Sequence, residues 1–213
     1  MIRLLSYIYP ITKKVKSEFN GTLEITWYNG KKHLNTKNAN YSYGSLQKIL
    51  KFGLNKMDLS RCNNVLVLGL GGGSVIKTLG KIIGQNKSIV GVDIDPVIVK
   101  IAKEEFKLSK IENLEIICDD ASDFMRKNKS IFDLIIVDLF IDTKIPSPFF
   151  EILFWKNIVE ATSKEGNILF NASLDSKNEN DIVNIASYLY KNNFQIERLE
   201  KVNKTNTLLL AKR

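Results

Sequence analysis

The sequence contains few of the residues that usually carry metal or nucleophilic chemistry. It has one histidine and two cysteines in 213 residues. Cys62 and Cys118 are too few and too far apart for a disulfide framework or a zinc site, and Cys118 lies in an apolar strand pattern, so both thiols are expected to be reduced. His33 lies in a polar segment typical of a turn and is expected at the surface. The sequence therefore predicts no metal site and no histidine-dependent triad.

Long hydrophobic runs are also missing. No apolar segment approaches the roughly 20 residues that a membrane-spanning helix needs. The opening MIRLLSYIYPITKK lacks the apolar core and the small-residue cleavage site of a signal peptide. We therefore expect a cytoplasmic protein that does not bind a membrane.

Clustered basic residues are absent as well, although the formal net charge is +8. The lysines are scattered along the chain, and no basic cluster interleaves with aromatic residues as it does in proteins that bind single-stranded nucleic acid. A general richness in lysine and asparagine explains the charge, so a solvated basic surface is favoured over a nucleic-acid partner.

The 12 glycines are unevenly spread, and four of them lie within residues 69–73. They follow an apolar run in VLVLGLGGGS, residues 65–74. Such a run predicts a strand buried on both faces of a parallel sheet, and the glycines allow a sharp turn beside a ligand. The helical spacing of apolar residues in 74–83 places a helix N-terminus after the turn. A tight strand-to-helix connection without a ligand would select small residues as well.

From residue 65 onward the pattern alternates between strands and helices, which predicts a doubly wound α/β fold with right-handed crossovers. Strands are predicted over 65–70, 88–94, 114–118, 133–139 and 167–172. Helices are predicted over 74–83, 97–108, 121–127, 148–162 and about 179–191. Two strand-like segments, 194–202 and 206–213, then predict a terminal antiparallel hairpin.

The N-terminal residues predict a small β appendage. Residues 3–8 fit a strand, and 22–28 alternate before Asn29-Gly30, a strong hairpin signal. A helix is predicted over 42–54. We therefore divide the chain into an N-terminal β-hairpin appendage, residues 1–40, and a Rossmann-like domain, residues 41–213.

Polar residues follow the predicted strands at the edge where an open parallel sheet binds its ligand. A carboxylate after the second strand can accept hydrogen bonds from the ribose hydroxyls of an adenosyl group. A carboxylate after the third strand can accept a hydrogen bond from the adenine amino group, and the carboxylate after the fourth strand faces the reacting end of the ligand. Taken alone, each acid could equally be a helix cap or a loop residue, and Asp95 is expected to cap a helix that begins at Pro96. The polar strand ends are Gly69, Gly71 and Gly73, then Asp93, then Asp119 and Asp120, then Asp138.

In these motifs the sequence resembles a known family. Residues 65–172 look like the Rossmann-like core of class I S-adenosylmethionine-dependent methyltransferases and, more narrowly, like the spermidine synthase family of polyamine aminopropyltransferases. The matching segments are VLVLGLGGGS, VDIDP, CDDA and IIVDLFIDTKIPSPFF. The resemblance implies a mostly parallel seven-stranded sheet with a C-terminal antiparallel hairpin and a small N-terminal β appendage. That appendage contributes to oligomerisation in the family, which implies a homodimer.

The resemblance also implies roles by position. The cofactor would be S-adenosylmethionine or its decarboxylated form, with its methionine part against the glycine loop. Ser74, at the position where the dinucleotide fingerprint has Gly or Ala, also favours S-adenosylmethionine over NAD. Asp138 would be the catalytic acid, with Asp142 and Tyr43 beside the acceptor. The cofactor-binding positions would be Gly69, Gly71, Gly73, Asp93, Ile94, Asp120 and Ala121.

Departures from the family pattern bear on which group is transferred. The family has a loop aspartate near the reacting tail of the cofactor where this chain has Gly72, so Gly72→Asp is expected to favour the decarboxylated form. The family's catalytic loop reads like DSSDP, whereas residues 138–142 read DLFID, with the second acid one place late. The helix over 42–54 lacks the clear Tyr and His pattern that helps to bind the polyamine.

Apolar residues beside Asp138 favour a less polar acceptor than a dicationic amine, which needs several carboxylates, although core or lid packing explains them equally well. The favoured function is therefore methyl transfer to an unidentified small molecule. The alternatives are aminopropyl transfer from decarboxylated S-adenosylmethionine to a polyamine, and a non-catalytic adenosyl-binding protein. The apolar residues in question are Leu139, Phe140, Ile141, Phe149 and Phe150.

Overall fold

A computed structural model describes residues 2–173 and 178–213, and its strands form two sheets. The small N-terminal sheet is antiparallel and consists of β1 (Ile11–Ser17), β2 (Gly21–Tyr28), β3 (Lys31–Asn35) and β4 (Asn40–Ser42), in that order. The large sheet contains β5 (Asn64–Leu68), β6 (Ser88–Asp93), β7 (Leu114–Cys118), β8 (Phe132–Val137), β9 (Thr162–Ser173), β10 (Gln195–Val202) and β11 (Asn206–Lys212). Its strand order is β10-β11-β9-β8-β5-β6-β7.

Helices cover both faces of the large sheet. They are α1 (Ile2–Leu5), α2 (Ser45–Leu54), α3 (Ser74–Ile82), α4 (Pro96–Glu104), α5 (Ala121–Lys127), α6 (Ile152–Ala161) and α7 (Glu179–Lys191), with short 3-10 segments at Leu108–Lys110 and Ser147–Phe150. Strands β5 to β9 run parallel, and β10 and β11 form an antiparallel hairpin beside β9. This is the Rossmann-like class I methyltransferase fold that the sequence predicts.

The central strand β5 explains why the glycine turn lies where it does. Its apolar residues alternate between two buried clusters, with Leu66 in the cluster around Trp155 and Val67 in the cluster around Leu79. Because β6 pairs with one edge of β5 and β8 with the other, the strand order reverses at β5. The turn after β5 therefore lies at the switch point, where sheets of this kind bind ligands.

The N-terminal sheet packs on α4 beside this edge. Leu23, Leu34 and Ile25 form a buried cluster with Ile98 and Phe106. Strand β4 extends to Ser42, so the small sheet continues two residues past residue 40 and leads into α2. As a result, the small sheet covers the polar strand ends.

Local signals predicted several elements correctly. The Asn29-Gly30 turn joins β2 and β3, and both of its residues have positive φ, 48° and 69°. Asp95 caps α4 through the backbone N–H groups of Val97 and Ile98, with Pro96 in the first turn. The terminal hairpin and helix α7 lie where they were predicted.

Two N-terminal predictions are wrong. Residues 3–8, predicted as a strand, overlap helix α1, which ends at Leu5. Ser6 N donates to Ile2 O (3.0 Å), and Ser6 O accepts from Asn29 N. Local helical hydrogen bonds and docking on the hairpin turn therefore replace pairing with a sheet. His33, predicted in a turn, lies in β3 opposite Thr26 and is half-buried, and burial lowers the pKa of its imidazole.

Two predicted helices are shorter than expected. The segment 148–162 divides into a 3-10 turn and α6, because Glu151 between them has extended backbone. The segment 97–108 ends as helix at Glu104, before Lys107 adopts a φ of 61°. Within the described residues, no helix has the length and apolar character needed to cross a membrane. Both cysteines are free thiols, with Cys62 buried and Cys118 exposed.

Candidate functional site

A cavity of about 320 Å³ opens beyond the carboxyl ends of β5, β6, β7 and β8, under the N-terminal sheet. Its volume lies in the range typical of small-molecule sites. Most of the residues predicted from the sequence line it, whereas Gly73 and Tyr43 do not. The predicted residues in the lining are Gly69, Gly71, Asp93, Ile94, Asp120, Ala121, Asp138 and Asp142.

Glycines in the turn after β5 allow two other loops to approach closely. Gly69 has φ 91°, and a β-carbon there would lie 2.0 Å from Asp138 O. Gly71 has φ 51°, and a β-carbon there would lie 2.4 Å from Tyr41 O. A substitution such as Gly71→Val would therefore displace the backbone of Tyr41 as well as fill the space beside a ligand. The loop glycines are needed for packing at the cavity edge as well as for space.

Gly72 is buried and faces away from the cavity. A β-carbon there would lie 2.9 Å from Ser42 Cβ and 3.1 Å from Phe106 Cε2. The side chain in Gly72→Asp would press against these two residues instead of adding a charge beside the reacting tail of a cofactor. The expected change of cofactor preference therefore has no geometric support.

Asp93, at the end of β6, holds the turn after β5 in place. Its Oδ2 accepts from Leu70 N (3.0 Å) and Gly71 N (3.2 Å), and its Oδ1 accepts from Asp95 N (3.0 Å). Burial raises the pKa of this carboxyl to about 6 although the three hydrogen bonds lower it. A carboxylate has about four acceptor positions, so one position on Oδ1 remains for a ligand hydroxyl.

The acids after β7 have mixed roles. Asp120 Oδ1 caps α5 by accepting from Ser122 N (2.8 Å) and Asp123 N (3.1 Å). Asp119 accepts from Asp120 N (2.9 Å) and pairs with Lys127 at 3.5 Å. Both acids line the cavity, so Asp120 caps the helix and also faces the cavity.

Asp138 follows β8 and is half-buried in the cavity wall. Its Oδ1 accepts from Asn171 Nδ2 (2.8 Å). Burial, together with the charge of Asp93, raises the pKa of Asp138 to about 6, and the Asn171 hydrogen bond opposes this rise. A carboxylate with a pKa near the working pH is suited to accept a proton.

Asp142 is committed to the N-terminal sheet. Its Oδ1 accepts from Thr36 Oγ1 (2.7 Å) and its Oδ2 accepts from Asn38 Nδ2 (2.8 Å). These hydrogen bonds hold the pKa of Asp142 below its ordinary value. These contacts anchor the loop after β8 to the N-terminal sheet, while the Asp142 carboxylate keeps acceptor capacity on the cavity side.

Tyr41 takes the place in the cavity that the sequence analysis gives to Tyr43. The Tyr41 hydroxyl donates to Asn20 Oδ1 (2.5 Å) and accepts from Asp142 N (2.6 Å). Tyr43 instead stacks on Phe106, with ring centroids 5.1 Å apart. Within the described part of the chain its buried hydroxyl has no partner, and burial raises its pKa. Tyr43 therefore belongs to the packing outside the cavity.

The cavity is lined both by carboxylates and by apolar side chains. Among the described residues in its lining there is no lysine, arginine or histidine, which favours a ligand of positive charge. The carboxylates are Asp93, Asp119, Asp120, Asp138 and Asp142. The apolar wall consists of Leu139, Phe140, Ile141, Pro146, Pro148 and Phe149.

The raised pKa of Asp138 predicts a stability that depends on pH. An unfolded aspartate has a pKa of about 4, so between pH values of about 4 and 6 the folded chain retains a proton that the unfolded chain releases. The resulting penalty grows as the pH rises through this window and is complete above the folded pKa of about 6. Asp138→Asn is therefore expected to stabilise the fold by about 1–2 kcal/mol at pH 7 and by much less at pH 4.

Urea unfolding of both proteins at these two pH values measures the effect. Asp142→Asn is the matched control and should show the opposite sign, because the pKa of Asp142 is lowered and its ionised form is the favoured one. A destabilising effect of Asp138→Asn at pH 7 would contradict the assignment of a raised pKa.

Comparison with known proteins gives a family match. A family model described as the spermine/spermidine synthase domain matches residues 47–202. Polyamine aminopropyltransferase 2 of Aquifex aeolicus is 36% identical over 97 residues, which cover 42% of this chain and 19% of that protein. Other curated relatives are an eEF1A lysine and N-terminal methyltransferase homolog of Drosophila melanogaster, 34% identical over 36% of this chain, and a ubiquinone/menaquinone biosynthesis C-methyltransferase of Wigglesworthia glossinidia brevipalpis, 31% identical over 47% of this chain. The chain spans 12% and 44% of their lengths.

Solved structures share the fold at low sequence identity. A probable spermidine synthase from Corynebacterium glutamicum superposes with a TM-score of 0.67 at 14% identity, over 96% of this chain and 77% of that chain. Human methyltransferase-like protein 13 in complex with SAH gives a TM-score of 0.61 at 19% identity, over 79% of this chain and 82% of that chain. At these identities the likeness shows the fold alone.

Proposed function

Because the chain belongs to the spermine/spermidine synthase domain family, we propose that it binds an S-adenosyl sulfonium cofactor and transfers a methyl group from it to a small acceptor. The observation that carries the proposal is the order of carboxylates around one cavity. Asp93, Asp120 and Asp138 follow three neighbouring or near-neighbouring parallel strands, and all three line the space beside Gly69 and Gly71.

The residues present fit the cofactor. Asp93 Oδ1 has one acceptor position left for a ribose hydroxyl, and Asp120 lies after the next strand for the adenine amino group. The half-buried side chain of Ile94 offers an apolar contact between them. The acidic lining suits the positive sulfonium. The solved relative that contains SAH, S-adenosylhomocysteine, supports this assignment.

When bound, the cofactor supplies an electrophilic carbon beside a positively charged sulfur. The residues of the chain orient the acceptor and remove its proton. Asp138, ionised above a pKa of about 6, can take the proton of a hydroxyl, thiol or ammonium nucleophile. The apolar wall excludes water, and the remaining requirement is alignment rather than strong acid–base chemistry.

The acceptor that this cavity favours carries one nucleophilic group on a mainly apolar body. Asp138 is the acid that we assign to the reacting end, and the Asp142 carboxylate is tied to Thr36 and Asn38 of the N-terminal segment. The second ammonium group of a diamine would have Asp142 as its remaining carboxylate, because Asp93 and Asp120 are assigned to the cofactor, and burying an ammonium group against the apolar wall costs free energy. The apolar wall that includes Phe140 and Phe149 is better suited to a hydrocarbon or aromatic group.

Aminopropyl transfer from decarboxylated S-adenosylmethionine is the second candidate. It is favoured by the absence of a basic side chain among the described lining residues, since no side-chain cation pairs with the carboxylate of ordinary S-adenosylmethionine. The positive end of the α2 dipole opposes this argument. Ser45 and Leu46 begin α2 and line the cavity, and a helix N-terminus favours a negative group.

Two further proposals come from the sequence. We propose a homodimer because the N-terminal segment exposes large apolar side chains, including Leu4 (73% exposed) and Ile8 (81% exposed). Light scattering of the purified protein would test this. Cytoplasmic location remains a prediction, and fractionation of cells that express the tagged protein would test it.

Product analysis separates the candidate reactions. We would incubate the protein with S-adenosylmethionine or its decarboxylated form, each with pools of small hydroxyl, thiol and amine acceptors, and identify the nucleoside product by mass spectrometry. The proposal predicts S-adenosylhomocysteine from ordinary S-adenosylmethionine. Methylthioadenosine formed from the decarboxylated cofactor and putrescine would instead establish aminopropyl transfer.

A further inference from the structure

A chain of hydrogen bonds runs from the turn between β10 and β11 to Asp138. Thr205 Oγ1 donates to Asn206 Oδ1 (2.7 Å), and Asn206 Nδ2 donates to Asn171 Oδ1 (2.9 Å). Asn171 Nδ2 then donates to Asp138 Oδ1 (2.8 Å). In each amide the oxygen accepts a hydrogen bond from the side of the turn and the nitrogen donates toward the carboxylate, so all three hydrogen bonds run in one direction.

The two asparagines are buried, and Asn171 lies between apolar neighbours in its strand. Asn171 is 0% exposed and Asn206 is 3% exposed, and Phe170 and Ala172 beside Asn171 belong to the hydrophobic core. Burying an amide costs free energy unless its hydrogen bonds are made, and here each amide is paired at both ends. Because β11 runs antiparallel to β9, its first residue lies at the edge where the parallel strands end.

The direction of these hydrogen bonds determines which group of Asn171 faces Asp138. If the Asn171 amide were reversed, its oxygen would face Asp138 Oδ1 and its NH₂ group would face the NH₂ group of Asn206, and both contacts are repulsive. Asn206 therefore keeps Asn171 in the donating orientation. Among the described residues, no group other than Asn171 donates to the Asp138 carboxylate, which leaves Oδ2 for the substrate.

We propose that Asn171 and Asn206 are positioning residues, which hold Asp138 with Oδ1 engaged and Oδ2 presented to the acceptor. This inference rests on the proposed role of Asp138 as the proton acceptor. It makes the C-terminal hairpin part of the reaction site, since Asn206 acts on the carboxylate through Asn171. Family motifs at the strand ends assign no role to either residue.

Other charged and titratable groups face Asp138 and must be considered in the test. Asp93 raises the pKa of Asp138 by charge repulsion. From the N-terminal sheet, Tyr41 lies close enough for Asp138 to raise the pKa of its hydroxyl, and the Asp142 carboxylate lines the same cavity. Among the described residues, the side-chain hydrogen bonds of Asn171 and Asn206 go to Asp138, to Thr205 and to each other, so substitutions of the asparagines break no hydrogen bond of Asp93, Tyr41 or Asp142.

A titration of Asp138 in the complete protein tests the proposal without any turnover. The protein would be labelled with carboxyl carbon-13 aspartate, and the Asp138 signal would be assigned by its loss in Asp138→Asn. We expect the pKa of Asp138 to rise by about 1 in Asn171→Leu and by about half as much in Asn206→Leu, because the donor to the charged form is lost or disordered. Asn167→Leu is the matched control, since Asn167 is buried at the other end of β9 and donates to Asp58 O.

The outcomes separate this inference from the proposed function. An Asp138 pKa that rises in Asn206→Leu but not in Asn167→Leu supports the positioning role, whatever the transferred group is. An Asp138 pKa in Asn206→Leu equal to that of the wild type overturns the role of Asn206. If Asn206→Leu does not fold, Asn206→Ala removes the same donor with less steric change and is held to the same criterion.

Discussion

Asp138→Asn is expected to reduce product formation at least about 100-fold while it changes the affinity for the cofactor by less than about twofold. The amide has nearly the same size and still accepts from Asn171, but it cannot take a proton from the acceptor. Rates of nucleoside product formation, measured at saturating cofactor, would show the loss. Calorimetry on the same preparation would show that the cofactor still binds.

An acid outside the cavity provides the control for this comparison. Asp123→Asn changes an exposed acid of α5 that is not part of the cavity lining and should retain the wild-type rate. Retention of more than a tenth of the wild-type rate by Asp138→Asn would show that Asp138 is not the base that takes the acceptor's proton. Cofactor binding without any turnover in the wild type would instead support the non-catalytic alternative.

Asp93→Ala is expected to weaken cofactor binding by about 2 kcal/mol, which is about a 30-fold increase in Kd. The substitution removes the acceptor assigned to a ribose hydroxyl. It also leaves the N–H groups of Leu70 and Gly71 without their buried partner, so the turn beside the ligand loses its support. Titration calorimetry of the folded variant would give the change.

A second substitution separates these two contributions. Asp93→Asn keeps the shape and one accepting oxygen, but its NH₂ group cannot accept from the backbone of the turn. We expect an intermediate loss of affinity, and Asp123→Ala should show none. Unchanged affinity in folded Asp93→Ala would remove Asp93 from the cofactor site.

The parts of the fold that depend on local signals were predictable from the sequence. The buried strand β5, the Asp95 cap with Pro96 and the Asn29-Gly30 turn each require only a few adjacent residues, and all are confirmed. Helix α1 was missed because a short apolar run fits a strand and a helix equally well.

The site was predictable in outline but not in its hydrogen bonds. Strand ends bring Asp93, Asp120 and Asp138 to one cavity, as the alternation of strands and helices implies. The partners of Asp142 are Thr36 and Asn38, more than a hundred residues earlier in the chain, and no local pattern connects them.

Side-chain direction at turns was the other source of error. Tyr43 has a φ of 66° after β4, so its ring leaves the cavity while that of Tyr41 stays in it. Gly72 directly follows Gly71, which lines the cavity, but a side chain at position 72 would face Ser42. Asn171 and Asn206 resemble ordinary polar residues of strands until the pairing of β9 with β11 is known. Each of these facts depends on backbone geometry or on long-range pairing.

The most direct test of the central claim is a pair of calorimetric titrations of the wild-type protein, one with S-adenosylmethionine and one with its decarboxylated form. We expect saturable binding of S-adenosylmethionine at least as tight as that of the decarboxylated form, because the N-terminus of α2 favours the negative carboxylate of the amino-acid part. If neither compound binds, the proposed cofactor site is contradicted. A preference of tenfold or more for the decarboxylated form would contradict methyl transfer.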